Sequence, residues 1–189
     1  MYRALTWWLM SRGADTTDPI LVAELATVPD IDVSTDPEYP WTRVNAEDVT
    51  GDIRTREVSA QVSVVARVPE VRAHLIARQR AIINAAHPGI VAEGRDIGTV
   101  VAPDAQLKVF LTADSGARAQ RRAAEQGAAV DATEVAQARR DRLDAAQSAK
   151  ADDAVLIDAT DLSLPAVIAE ITRLAHERTQ LAWAGDKSN

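Results

Sequence analysis

A guanidinium and a carboxylate stand side by side in the run Ile90-Val-Ala-Glu-Gly-Arg-Asp-Ile-Gly-Thr-Val-Val101, just past Ile90 to Ala92, a short apolar segment that reads as a buried strand. Open α/β sheets bind ligands at such strand ends. A second apolar run, Leu107 to Leu111, ends at Thr112-Ala113-Asp114-Ser115, a helix N-cap signal. Arg118, Arg121 and Arg122 follow on a helix-like spacing. Arginines gathered at strand and helix ends point to an anionic ligand. Taken alone, Arg95 and Asp96 read equally as an exposed ion pair, worth about 0 to 1 kcal/mol. The three later arginines read equally as a solvated helix face with Glu125 and Asp141 as partners.

The elements that must position these groups follow from periodicity and punctuation. Residues 2–12 have helical spacing with Gly13 as the stop. Residues 14–28 read as a loop and a short helix starting at Asp18-Pro19. Residues 31–65 alternate polar with β-branched side chains, with turns at Thr35-Asp36-Pro37 and Thr50-Gly51-Asp52, which predicts a small antiparallel insert. From Pro69 to Ala86 the positions Val71, Leu75, Ile76, Ile82 and Ile83 predict an amphipathic helix, with Arg72, Arg78 and Arg80 toward its polar side. Residues 115–150 read as solvated helices. A further strand, Ala154 to Asp158, precedes a last helix opened by Pro165 and running to about Trp183. Strands alternating with helices predict a parallel sheet.

Composition narrows the class. At 189 residues the chain is expected to form one domain with its own core. It has no cysteine, and its three histidines, His74, His87 and His176, are too scattered for a zinc site, so no metal is expected from side-chain spacing. A net charge of -7 argues against general nucleic-acid binding. Met1 to Met10 is apolar but too short to span a membrane and lacks a cleavable leader pattern, so the expected setting is cytoplasmic. Trp7, Trp8 and Tyr2 read as core packing rather than base stacking.

Three sequence blocks carry a resemblance. Ala92-Glu-Gly-Arg-Asp-Ile-Gly-Thr-Val-Val-Ala-Pro-Asp-Ala105, the earlier Glu47-Asp-Val-Thr-Gly-Asp-Ile-Arg-Thr55, and Arg139-Arg-Asp-Arg-Leu-Asp144 with Ala151-Asp-Asp-Ala-Val155 resemble bacterial cytidylate kinases, in order, over nearly the whole chain. The resemblance implies a P-loop NTPase-type parallel sheet, a small antiparallel nucleotide-monophosphate-binding insert at about 28–66, and a helical lid at about 115–150. It also implies transfer of the γ-phosphoryl group of ATP, with Mg²⁺, to CMP or dCMP, on a chain expected to act as a monomer, with no nucleic-acid or membrane partner. The 92–105 motif and the long insert favour cytidylate over adenylate, guanylate or thymidylate.

By the same resemblance Tyr2 and Arg3 help hold the acceptor, while Ser63, Arg72 and Asp96 read the cytosine. A carboxylate can accept from the exocyclic amine, and a guanidinium and a hydroxyl can donate to the carbonyl and ring nitrogen. Arg95 and Arg140 face phosphates, Arg140 as the catalytic arginine, and Arg118, Arg121 and Arg122 open the lid. Without the resemblance, Ser63 is an ordinary strand or helix-entry residue and Arg72 a solvated one. The family opens with a strand and a glycine-rich loop ending in Gly-Lys, whereas Lys108, Lys150 and Lys187 here follow no glycine. The expectation is that the sequence starts at an internal methionine and lacks roughly 30 to 40 residues, about one supersecondary unit. Gln147 stands where the lid pattern has an arginine. The expectations are therefore a kinase domain with its acceptor site kept and its transfer step impaired, or a non-catalytic CMP-binding remnant. Apolar surface left open at the sheet would make the chain poorly soluble or partly disordered.

Overall fold

The computed structural model describes residues 1–126 and 148–186. The chain divides into two compact units, Met1–Glu93 and Gly94–Asn189.

In the first unit, helix α1 (Tyr2–Ser11) presents Ala4, Leu5, Trp8 and Leu9 to the core at helical spacing. It ends in a Schellman turn: the Gly13 N–H donates to Met10 O (2.9 Å) and the Ala14 N–H to Leu9 O (3.0 Å). That closure needs φ +69° at Gly13, which glycine adopts without steric cost. Helix α2 (Pro19–Leu25) is capped by the Asp18 carboxylate, which accepts from the N–H groups of Ile20 and Leu21. Strands β1 (Ile31–Val33), β2 (Thr42–Val44) and β3 (Glu47–Asp48) form a small antiparallel sheet in the order β1-β2-β3. Val44 pairs with Glu47 across a two-residue hairpin, Asn45-Ala46, with φ of 50° and 68°. Positive φ at both positions is the twist-matched hairpin geometry.

A 3₁₀ turn (Asp52–Arg54) leads to helix α3 (Arg56–Val65), capped by Thr55, and helix α4 (Pro69–Ala85) follows with Pro69 in its first turn. The core of this unit is closed by side chains such as Leu5, Leu9, Val44, Val65 and Leu75, each 1% exposed or less. The antiparallel insert expected over 31–65 is thus a sheet only as far as Asp48, and residues 56–65 are helical. The β-branched residues Val58, Val62 and Val65 are buried at i, i+4 and i+7, and tertiary packing of that stripe outweighs their strand preference.

In the second unit, strands β4 (Val109–Thr112) and β5 (Val155–Asp158) pair in parallel, with Val109 opposite Val155 and Thr112 opposite Asp158. The parallel sheet expected from the alternation of strands and helices is present. Ile90–Ala92, near the end of the first unit, is not a strand, contrary to the expectation; Val91 is 94% exposed and Ile90 only half-buried. Residues Ile97–Val101 instead make a π-helical turn. Helix α5 (Ser115–Gln126) follows β4, and helix α6 (Leu164–Asp186) follows β5.

Candidate functional site

The residues singled out by sequence fall on both units. On the first, Tyr2 and Arg3 open α1, Ser63 lies in α3, and Arg72 lies in the first half of α4. Arg3 is the best-defined of these. Its Nη1 donates to Ile53 O (2.7 Å), and Nη1 and Nη2 both donate to Ser59 Oγ (3.0 Å each). The Ser59 hydroxyl donates in turn to Thr55 O (2.7 Å). The helix start that carries Tyr2 and Arg3 is thereby fastened to the first turn of α3. Ser63 is one turn further along α3, on the same face as Ser59, and is 4% exposed. Arg72 is half-buried on α4.

Ser59 carries no signal of its own in a segment whose polar and β-branched residues alternate like a strand. Once the segment is helical, the spacing Ser59-x-x-x-Ser63 places both hydroxyls on one face, and that is the signal that marks Ser59.

On the second unit, Gly94, Arg95 and Asp96 precede the π turn. The side chain of Ile97 lies 2.9 Å from where a Cβ on Gly94 would sit, so this bend is shaped around a residue without one. Asp96 is 8% exposed and its carbonyl accepts from Val100 N–H (2.8 Å), while Arg95 is exposed. Gly98 in the turn packs against the aliphatic stem of Lys108, 3.4 Å from where its Cβ would be. Lys108 then clamps the start of the parallel pair. Its Nζ meets both carboxylate oxygens of Asp153 (2.9 and 2.8 Å), and its carbonyl accepts from Val155 N–H (2.9 Å).

The carboxyl ends of β4 and β5 are cross-tied. The Asp158 carboxylate accepts from Thr160 Oγ1 (2.6 Å) and N–H (2.9 Å), and the Thr160 oxygen accepts from Asp114 N–H (3.0 Å). These bonds to Thr160 hold the Asp158 carboxyl below the usual carboxylate range. Asp114 caps α5 through Ala117 N–H (2.7 Å) as its sequence signal predicts, so the start of α5 is hung from the end of β5. On α5, the Arg118 side chain donates to Ala113 O (3.1 Å). Arg121 donates to the carbonyls of Ala159, Thr160 and Leu162, so a phosphate contact by Arg121 would replace those bonds. The side chain of Arg122, the residues Arg140 and Gln147, and most of 115–150 lie outside the described residues. Among the described residues no group of three or more histidines, aspartates or glutamates is gathered to hold a metal ion, and no helix is long and apolar enough to cross a membrane.

Comparison with known proteins gives a consistent result. The family model described as cytidylate kinase matches residues 1–177. A cytidylate kinase of Streptomyces avermitilis is 48% identical over 182 residues, covering 94% of this chain and 79% of the relative. One from Streptomyces coelicolor is 52% identical with the same coverage. A bifunctional pantoate ligase/cytidylate kinase of Synechococcus elongatus is 43% identical over 192 residues, covering 94% of this chain and 36% of that longer protein.

Proposed function

The chain belongs to the cytidylate kinase family, and from that premise we propose that it binds CMP or dCMP as the acceptor of a phosphoryl group from ATP. The observation that carries the reading is the fastening of Arg3 to Ser59 and Ile53 O on the helix face that also holds buried Ser63. A guanidinium held in a fixed plane suits an anionic acceptor, and a buried hydroxyl one turn away suits a base edge. In this reading Ser63, Arg72 and Asp96 read the cytosine, while Tyr2, Arg3 and Arg95 hold the acceptor and its phosphate. Arg118, Arg121, Arg122 and Arg140 act from a lid at about 115–150, and the insert at about 28–66 belongs to one kinase domain with a P-loop-type sheet. The protein works as a cytoplasmic monomer.

Phosphoryl transfer depends on positioning and on neutralising charge rather than on covalent chemistry by the protein. Mg²⁺ would come bound to the ATP phosphates and needs only one or two oxygen ligands from the protein. The sequence carries Gln147 at a lid position where a charge would serve. Gln147 supports a second reading, in which the 189 residues bind CMP without transferring phosphate to it.

Calorimetric titration with CMP, beside a coupled assay with ATP and Mg²⁺, tests both. Micromolar CMP binding is expected. Asp96→Asn is expected to weaken it about tenfold, because a neutral amide oxygen accepts from the cytosine amine less strongly than a carboxylate does. CMP binding with turnover supports the kinase reading, and binding without turnover the second. Absence of CMP binding, or an Asp96→Asn variant that binds CMP normally, defeats the acceptor-site assignment.

A further inference from the structure

We infer that Ser59 is a positioning residue, which sets the plane of the Arg3 guanidinium for the acceptor phosphate. The inference rests on the reading of Arg3 as an acceptor-holding residue and adds to it the group that makes Arg3 competent.

A serine hydroxyl has one hydrogen to donate and lone pairs that accept. At Ser59 the hydrogen goes to Thr55 O at 2.7 Å, the bond of a helical serine to the carbonyl four residues back. With the proton committed there, the lone pairs turn toward α1, where both terminal nitrogens of Arg3 donate to the same oxygen at 3.0 Å. Ile53 O takes a further N–H from Nη1 at 2.7 Å. Ser59 Oγ bridges Nη1 and Nη2 while Ile53 O takes the other hydrogen of Nη1, so acceptors on two sides of the planar, charged group hold its plane. Thr55, whose carbonyl holds the Ser59 proton, is itself the cap of α3, with Oγ1 accepting from Val58 N–H at 3.4 Å. The orientation of Arg3 is thus referred back to the start of a helix rather than to a mobile side chain. Ser59 is half-buried, and its oxygen is occupied by these bonds. It therefore acts on a ligand through Arg3.

The experiment is calorimetric binding of CMP and of cytidine, which lacks the phosphate, to the 189-residue wild type and to Ser59→Ala, Ser59→Thr, Arg3→Met and the Ser59→Ala/Arg3→Met double variant. Ser59→Ala is expected to weaken CMP about tenfold, the scale of one hydrogen bond to a charged group, and to leave cytidine unchanged. Ser59→Thr, which keeps the hydroxyl, is expected to bind CMP as wild type does. The double variant is expected to bind CMP no worse than Arg3→Met alone, because the serine acts only through the arginine. If the alanine variant fails to fold, Ser59→Cys, with a weak sulfur acceptor of similar size, takes its place in the same comparison. The inference is overturned if Ser59→Ala binds CMP within about twofold of wild type while Arg3→Met does not, if its loss adds to that of Arg3→Met, or if cytidine weakens in parallel. A wild type that binds no CMP, or an Arg3→Met variant that binds CMP normally, instead defeats the acceptor reading beneath it.

Discussion

At the scale of single residues, the pair Lys108–Asp153 separates a group that supports the fold from one that decorates it. The Lys108 side chain is 9% exposed and Asp153 is 64% exposed, so the lysine bears the cost of burial and the carboxylate offsets it. The hydrogen bond from Lys108 lowers the Asp153 pKa below its ordinary 3.8. A depressed carboxyl contributes stability that is present above the unfolded-state value and lost as pH falls through the folded one. Asp153→Asn is therefore expected to lower the urea midpoint at pH 7, and the gap from wild type to narrow below about pH 4 as the native carboxyl is protonated. Unfolding curves at pH 7 and pH 3 check this. An equal gap at both values would mean that ionisation of Asp153 does nothing for the fold.

At the scale of elements, the hairpin between β2 and β3 carries a cost that the protein need not bear. Asn45 tolerates its φ of 50°, and it is useful there. Its N–H donates to Asp30 O (2.8 Å), and its side-chain oxygen accepts from Asp30 N–H (2.9 Å), joining the hairpin to the start of β1. Ala46, at φ 68°, has no such compensation, and a Cβ in the left-handed region costs about 1 to 2 kcal/mol. Glycine removes that strain but gains entropy in the unfolded chain. Ala46→Gly is expected to stabilise the chain by about 0.5 to 1 kcal/mol in chemical denaturation, and a lower midpoint would show that the turn is not strained. This turn also marks where sequence stops being informative. Helix α1 with its glycine stop, the Asp18 and Asp114 caps, α4 and β5 are all legible from spacing and punctuation, because the local signal and the packing agree. The Asn45-Ala46 hairpin is not legible, since alanine is an improbable choice for it. Helix α3 was hidden because its valines serve strands and helices alike. At Ile90–Ala92 the central valine is exposed and the isoleucine only half-buried, so an apolar triplet alone is not a strand signal. Of the site, the groups Arg3 and Asp96 were legible only through the resemblance, and the Arg3–Ser59 contact required the fold.

At the scale of the whole molecule, the two units differ in how completely each closes its own core. The first buries Leu5, Leu9 and Leu75 completely and has a continuous cluster running through α1, α2, the small sheet and α4. The second, among the described residues, rests on a two-stranded parallel sheet in which Leu111 is 52% exposed and Leu156 57% exposed, one on each strand. Their register partners are Ile157 and Phe110, so the open leucines lie on opposite faces of the pair. Parallel sheets are ordinarily covered on both faces, and two strands alone bury too little to be independently stable. The two open leucines have a measurable consequence. Backbone amides open with a free energy that follows local burial, so those of β4 and β5 are expected to exchange at least about tenfold faster than those of Leu5 and Leu9 in α1. Hydrogen exchange read by NMR or mass spectrometry distinguishes the outcomes. Slow exchange throughout would mean that the sheet shares the stability of the first unit and that its open leucines do not weaken it. Fast exchange confined to β4 and β5 would place the weak point of this chain in the unit that carries Arg95 and Asp96, and would predict that ligand binding there is coupled to ordering of the sheet.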